Sequence, residues 1–121
     1  MTGVQTCALP IWQPVGEGLA QWGEDSQHLR SLKGKRFAYW CTGTPTNATV
    51  WGSDVYTDDS SVCQAAIHAG VITRTRLGIV VIEIRKGQPS YRGSVRNAVT
   101  SKPFGSWRGS FAVIGLLPQQ P

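Results

Sequence analysis

Tyr56-Thr-Asp-Asp-Ser-Ser-Val-Cys-Gln-Ala-Ala-Ile-His-Ala-Gly-Val-Ile72 reads as one short helix with its own start and stop signals. Asp58 to Ser61 crowd the start with oxygens that accept from free backbone N–H groups, and Ser61 with Gln64 has capping-box spacing. Val62, Ala65, Ala66 and Ala69 fall on one stripe with Cys63 and Ile67 beside it, so nearly the whole circumference is small or apolar. Gly70 ends the helix, since glycine adopts the left-handed C′ conformation at little strain. A helix without a polar face has to be enclosed, and residues of about 60–70 are therefore expected at the centre of the domain.

Outward from the helix the chain is punctuated into short strands. Ile79-Val-Val-Ile-Glu-Ile84 carries the strongest strand signal and is apolar on both faces except at Glu83, so it is expected to be central and covered on each side. Phe37-Ala-Tyr-Trp40 is an aromatic strand leading into Cys41, and Val50-Trp51 is another. Thr42 to Thr49, with Pro45 and Asn47, reads as loop. Arg85 to Pro89 is turn chemistry, and Ser110-Phe-Ala-Val-Ile114 closes the domain. The sum is one helix among five or six short strands, an α+β class. Residues 12–34, rich in Gly, Gln and Glu, read as linker or partial upstream segment, with one tryptophan free to pack on the domain. Their character suggests a bacterial source.

Composition sets further bounds. A chain of this size suffices for one modest core and not two, and no apolar run approaches the roughly 20 residues that cross a bilayer. Five tryptophans and fourteen glycines favour a turn-rich, β-containing fold over a helical bundle. The net charge of +5 is unevenly placed. Arg74, Arg76, Arg85, Lys86, Arg92, Arg96, Lys102 and Arg108 follow Gln64 against Glu83 alone. That half attracts polyanions in general, although the same charges also serve as a solvated surface.

The helix block resembles the LCCL domain, and the likeness runs from Phe37 to Ile114. Val50-Trp-Gly before the helix, and Gly87, Tyr91-Arg-Gly-Ser94, Asn97, Ser101 and Ser110-Phe111 after it, fall in that family's order and approximate spacing. The resemblance implies a single domain over 35–115, a central helix wrapped by two small antiparallel β-sheets, and a tail at 116–121. It also implies an extracellular, periplasmic or cell-envelope location, and a non-enzymatic module that recognises lipopolysaccharide, lipid or other extracellular ligands. The alternative role is an accessory structural or protein-interaction domain beside a neighbour in a longer chain. Two departures stand out: Leu77-Gly78 replaces a glycine pair, and Asn97-Ala98 replaces Asn-Gly. Alanine resists positive φ, so that turn must change type or bear strain.

Met1–Ile11 resembles the translation of a widely used sequencing adapter and is expected not to be natural sequence, so it is excluded from fold reasoning. Setting Cys7 aside leaves Cys41 and Cys63, as a pair or as two buried thiols. The family resemblance implies a disulfide between them, one of the family's usual two. Closing that loop would add roughly 3 kcal/mol in a chain-entropy account. Cys63 and His68, five residues apart on a helix, point about 140° apart and cannot form a dyad. The family's His-Ala-Gly stretch suggests a packing histidine. Asp54, Asp58 and Asp59 lack the ligand spacing of a calcium loop, and capping explains the last two more economically. No zinc spacing, catalytic residue or cofactor motif is present.

Arg92 and Arg96 flank the Gly93-Ser94 turn, while Lys102 and Arg108 bracket Phe104 and Trp107. Arg92, Arg96, Lys102, Arg108 and Trp107 are the candidate ligand-binding residues, because cations beside aromatic faces hold phosphate or sugar rings. Anionic lipid or polysaccharide is the partner class implied. The same pattern suits single-stranded nucleic acid, but no nucleic-acid motif accompanies it and none is expected as partner. Asn47-Ala48-Thr49 fits a glycosylation sequon, discounted at this level because the source reads as bacterial.

Overall fold

The structure is a computed structural model describing residues 12–15 and 22–117. Met1–Ile11 and most of the tail lie outside the described residues. The elements are β1 (Trp12–Val15), β2 (Arg36–Cys41), β3 (Gly52–Ser53), β4 (Val55–Thr57), α1 (Val62–His68), β5 (Gly78–Gln88), β6 (Val95–Arg96), β7 (Val99–Thr100) and β8 (Trp107–Leu116).

Two sheets form. The larger runs β1-β2-β5-β8-β4-β3, and β6-β7 is a separate hairpin. All pairings are antiparallel except β1 with β2, which is parallel. The long apolar β5 is central as expected, between β2 and β8. Its inward residues Val80, Ile82 and Ile84 are buried; on the opposite face Val81 is buried too, while Ile79, Glu83 and Arg85 are only half covered. The expectation of cover on both sides holds in part: the second face buries Val81 with Ala38 and Ala112, but the one short helix lies on the other face and leaves the rest of this one half open. The half-open face carries an ion-pair ladder instead, with Arg36 and Arg85 donating to Glu83 at 3.1 and 2.7 Å. Burial opposes ionisation of Glu83, yet the two guanidiniums outweigh it and hold its carboxyl below the ordinary value.

All seven residues of α1 are buried. Val62, Cys63, Ala65, Ala66 and Ile67 join Phe37, Tyr39, Val80, Ile82, Ile84 and Phe111 in one apolar core. The helix packs on β2 and β5 on one side and meets β7 on the other. Its cover is lopsided: a broad sheet below, a two-stranded hairpin and loops above, rather than two comparable sheets. Cys41 and Cys63 are joined, with Cα atoms 5.5 Å apart, tying β2 to the first turn of α1. The sulfurs are fully buried with their residues.

The capping box forms by half. Ser61 Oγ accepts from the Gln64 N–H at 3.2 Å. The reciprocal bond does not form, because the Ser61 N–H donates to the Thr49 carbonyl at 3.1 Å. Asp58 takes no part in capping.

Residues 22–34 hold more than a linker would. Trp22 (3% exposed) and Leu29 (9%) belong to the core. The Trp22 Nε1–H donates to the Thr42 carbonyl at 2.9 Å, and Ser61 Oγ donates to the Trp22 carbonyl at 2.7 Å. Polar composition hid this segment, since two large side chains suffice to dock it.

Candidate functional site

Asp58 is where the N-terminal segment, the approach to α1 and β8 meet. Its carboxylate is fully buried. Arg30 donates to it twice, Nε at 2.6 Å and Nη2 at 2.7 Å, in the forked geometry that suits carboxylate. The Trp107 Nε1–H donates to Oδ1 at 2.8 Å. The Asp58 N–H donates to the Gly109 carbonyl, and its own carbonyl accepts from the Ser26 N–H. A Cβ at position 109 would fall on the carboxylate itself, so glycine there makes room for the cluster. The capping role and the calcium alternative for Asp58 both give way to this arginine clamp. Hydrogen bonding to Asp58 raises the Arg30 guanidinium further above its ordinary value, although burial opposes the shift.

Trp107, fixed by that hydrogen bond, anchors an aromatic strip. Arg30 and Arg108 lie 5.7 and 5.6 Å from its ring centroid, within cation–π range. Phe104 meets it edge-on at 5.6 Å and also approaches Trp51 at 6.4 Å. Phe104 is 41% exposed. Lys102 pairs through its backbone with the Val50–Gly52 segment, and Tyr91 bridges to Phe104. Gly93 lets residues 92–94 pass close to 101–103, since a Cβ there would stand 2.7 Å from the Pro103 nitrogen. The Arg92 backbone thereby runs beside residues 101–103, with its carbonyl accepting from Ser53 Oγ. Arg92, Lys102 and Arg108 are exposed and carry no carboxylate partner among the described residues.

Arg96 differs. It pairs with Asp54 at 2.7 Å, and that hydrogen bond lowers the Asp54 carboxyl below its usual value. The structure stacks Arg108 on Trp107 and sets Phe104 against the same ring, brings Lys102 and Arg92 near them only along the backbone, and places Arg96 in a separate ion pair. Arg30 was missed, because nothing in a Gln- and Glu-rich stretch signals that it reaches Trp107.

A second cluster lies under the β6–β7 hairpin. His68 is fully buried. Its Nδ1 is 3.0 Å from the Tyr56 hydroxyl, and its Nε2 is 3.1 Å from Ser94 Oγ and 3.3 Å from the Ser94 carbonyl. Asn97 Nδ2 donates to the His68 carbonyl at 2.9 Å, closing the C-terminal end of α1. Burial pulls the imidazole below its ordinary pKa, outweighing the Ser94 carbonyl, and pushes the Tyr56 phenol up to about 12. Ser94 and His68 sit like a nucleophile and base, a contact invisible in the sequence. However, the Ser94 N–H donates to Ser101 Oγ at 2.9 Å and Ser94 Oγ lies 2.6 Å from Ser53 Oγ. The local amide is therefore not free to hold an oxyanion, and the network reads as a structural lock.

A small disulfide-tied α+β module with a cationic aromatic edge is the class these features define. The LCCL domain profile matches residues 19–111, and the chain belongs to that family. Human vitrin is 42% identical over 71 residues, 59% of this chain and 10% of its own length. Human "Cysteine-rich secretory protein LCCL domain-containing 2" is 41% identical over 61 residues, 50% of this chain and 12% of that protein. Bovine cochlin is 38% identical over 65 residues, 54% of this chain and 12% of cochlin. The chain thus spans between 10% and 12% of the length of these relatives. They are animal proteins, which gives a bacterial source no support. The profile begins at residue 19, inside the segment read as linker.

Proposed function

We propose that this domain is a non-enzymatic extracytoplasmic recognition module that holds an anionic lipid or polysaccharide along the Arg92–Lys102–Phe104–Trp107–Arg108 edge. The observation that carries the reading is the company Phe104 keeps. This exposed ring packs edge-on against Trp107, whose ring also holds Arg108, on a backbone braced through Asp58. Lys102 and Arg92 lie close along the chain, and none of the three cations has a carboxylate partner among the described residues. Headgroup phosphates or sugar acids would meet the cations while the ring takes an acyl or pyranose face. Arg96 contributes less, because Asp54 already neutralises it. The extracytoplasmic location is supported by the buried disulfide, which persists in oxidising compartments, and by a relative whose name includes "secretory".

The test is binding to vesicles with and without anionic phospholipid, and to lipopolysaccharide, across a salt series. Binding should fall steeply with ionic strength. Lys102→Glu with Arg108→Glu should abolish it, and Arg96→Ala should weaken it far less. Salt-independent binding, or none to either probe, would reject the reading. The second reading, a domain that contacts a neighbour within a longer chain, is favoured by the short share of its relatives that this domain spans. Binding to a flanking domain, with none to either anionic probe, would establish it instead.

A further inference from the structure

We infer that Asn47 is an acceptor for N-linked glycan. The site requires Asn-x-Thr with no proline at x, reachable by a transferase, in a chain that enters the secretory route. Asn47-Ala48-Thr49 supplies the triplet. Asn47 and Thr49 are exposed, and residues 45–49 adopt no helix or strand, so the triplet can be drawn into an active site without breaking a ladder. Val50 is 1% exposed and anchors the loop immediately beyond the triplet.

The side chain is oriented suitably. Arg74 Nη2 donates to Asn47 Oδ1, while Nδ2 makes no hydrogen bond among the described residues. The donor is an oligosaccharide linked through pyrophosphate to a lipid. A bond forms between Nδ2 and the sugar C1 as the C1–O bond to pyrophosphate breaks. The pyrophosphate leaves with the bonding pair, and Nδ2 gives up one proton. Nothing is oxidised or reduced. Oδ1 keeps its acceptor role in the secondary amide, so the Arg74 contact survives modification.

Asn47 also lies within the loop closed by Cys41 and Cys63. Transfer before that bridge closes would meet a slacker chain, so Cys41→Ser with Cys63→Ser should raise occupancy where it is incomplete.

The inference rests on the extracytoplasmic reading, so the experiment separates the two. The full chain is expressed in cultured animal cells behind a heterologous export signal, and both secreted and intracellular pools are examined. A mobility step that collapses with peptide-N-glycosidase, together with Asn-to-Asp conversion at position 47, is expected. Asn47→Gln and Thr49→Ala should each remove the step, and Thr49→Ser should retain it. Unmodified Asn47 in exported, disulfide-bonded protein overturns the site while leaving the vesicle result standing. A glycan at Asn47 alongside failed vesicle binding upholds the site and rejects the ligand.

Discussion

Ala98 sits at φ 64° beside Asn97 at φ 52°, the two loop residues between the paired Arg96 and Val99. Positive φ at both positions is the signature of the type I′ turn, which wants Asn-Gly. The turn has kept its type, and alanine bears the strain. The sequence exposed that conflict without showing which side would yield. The answer lies in Asn97, whose amide is committed to the His68 carbonyl and holds the turn in place. Replacing Ala98 with glycine should stabilise the domain by about 1 kcal/mol, after allowing for glycine's freer unfolded chain. Thermal denaturation should show a rise of a few degrees. Arg30 gives the opposite case. Arg30→Ala would leave the Asp58 carboxylate buried with only the indole N–H of Trp107, and losing one partner of a buried pair costs about 3 kcal/mol or more. Chemical denaturation should register that loss, with Lys at position 30 recovering part of it, because an ammonium restores charge but not the fork.

Among the elements, α1 was legible because its caps and its lack of a polar face are local properties. β5 was legible for the same reason, and its neighbours β2 and β8 were legible as strands but not in their pairing order. The outer face of β5 is decided by Arg36 and Arg85 closing on Glu83, and the two-residue strands β3 and β6 are too short to leave a periodic trace. The β6–β7 hairpin earns its place through His68, which joins α1 to Tyr56 on β4 and to Ser94 at the hairpin's foot. Asp54 and Arg96 face the same imidazole with opposing charges. An unfolded histidine titrates near 6.5, while burial lowers the folded value. Between the two, the unfolded chain binds a proton that the folded chain refuses. Stability is therefore full above about pH 6.5 and declines as pH falls below it. The depressed carboxyls of Glu83 and Asp54 act in a separate, more acidic window, below the usual carboxylate range. Denaturant midpoints measured from pH 8 to pH 5 should show the histidine limb, and His68→Gln should flatten it while lowering stability throughout. A slope unchanged by that substitution would place the acid sensitivity elsewhere.

At the scale of the molecule, the question is where the domain starts. The likeness read from the sequence began at Phe37, because residues 12–34, rich in Gly, Gln and Glu, offered at most a short amphipathic helix weakened by Gly23. The structure makes Trp22 and Leu29 part of the core and Arg30 the partner of Asp58, and the Trp22 carbonyl accepts from the same serine that caps α1. A chain beginning at Lys35 would lose a buried tryptophan at about 3–5 kcal/mol and a leucine at about 2–5 kcal/mol. It would also strand the Asp58 charge at a comparable penalty. Together these rival the whole stability of a small domain, about 5–15 kcal/mol. A chain beginning at Trp12 keeps every one of these contacts. Expressed side by side, the longer form should give a cooperative melt and dispersed amide resonances. The shorter form should remain unfolded even with the Cys41–Cys63 bridge oxidised, because a cross-link restricts the unfolded ensemble without refilling the space that Trp22 leaves. A cooperative melt from the chain beginning at Lys35 would return residues 12–34 to the status of linker.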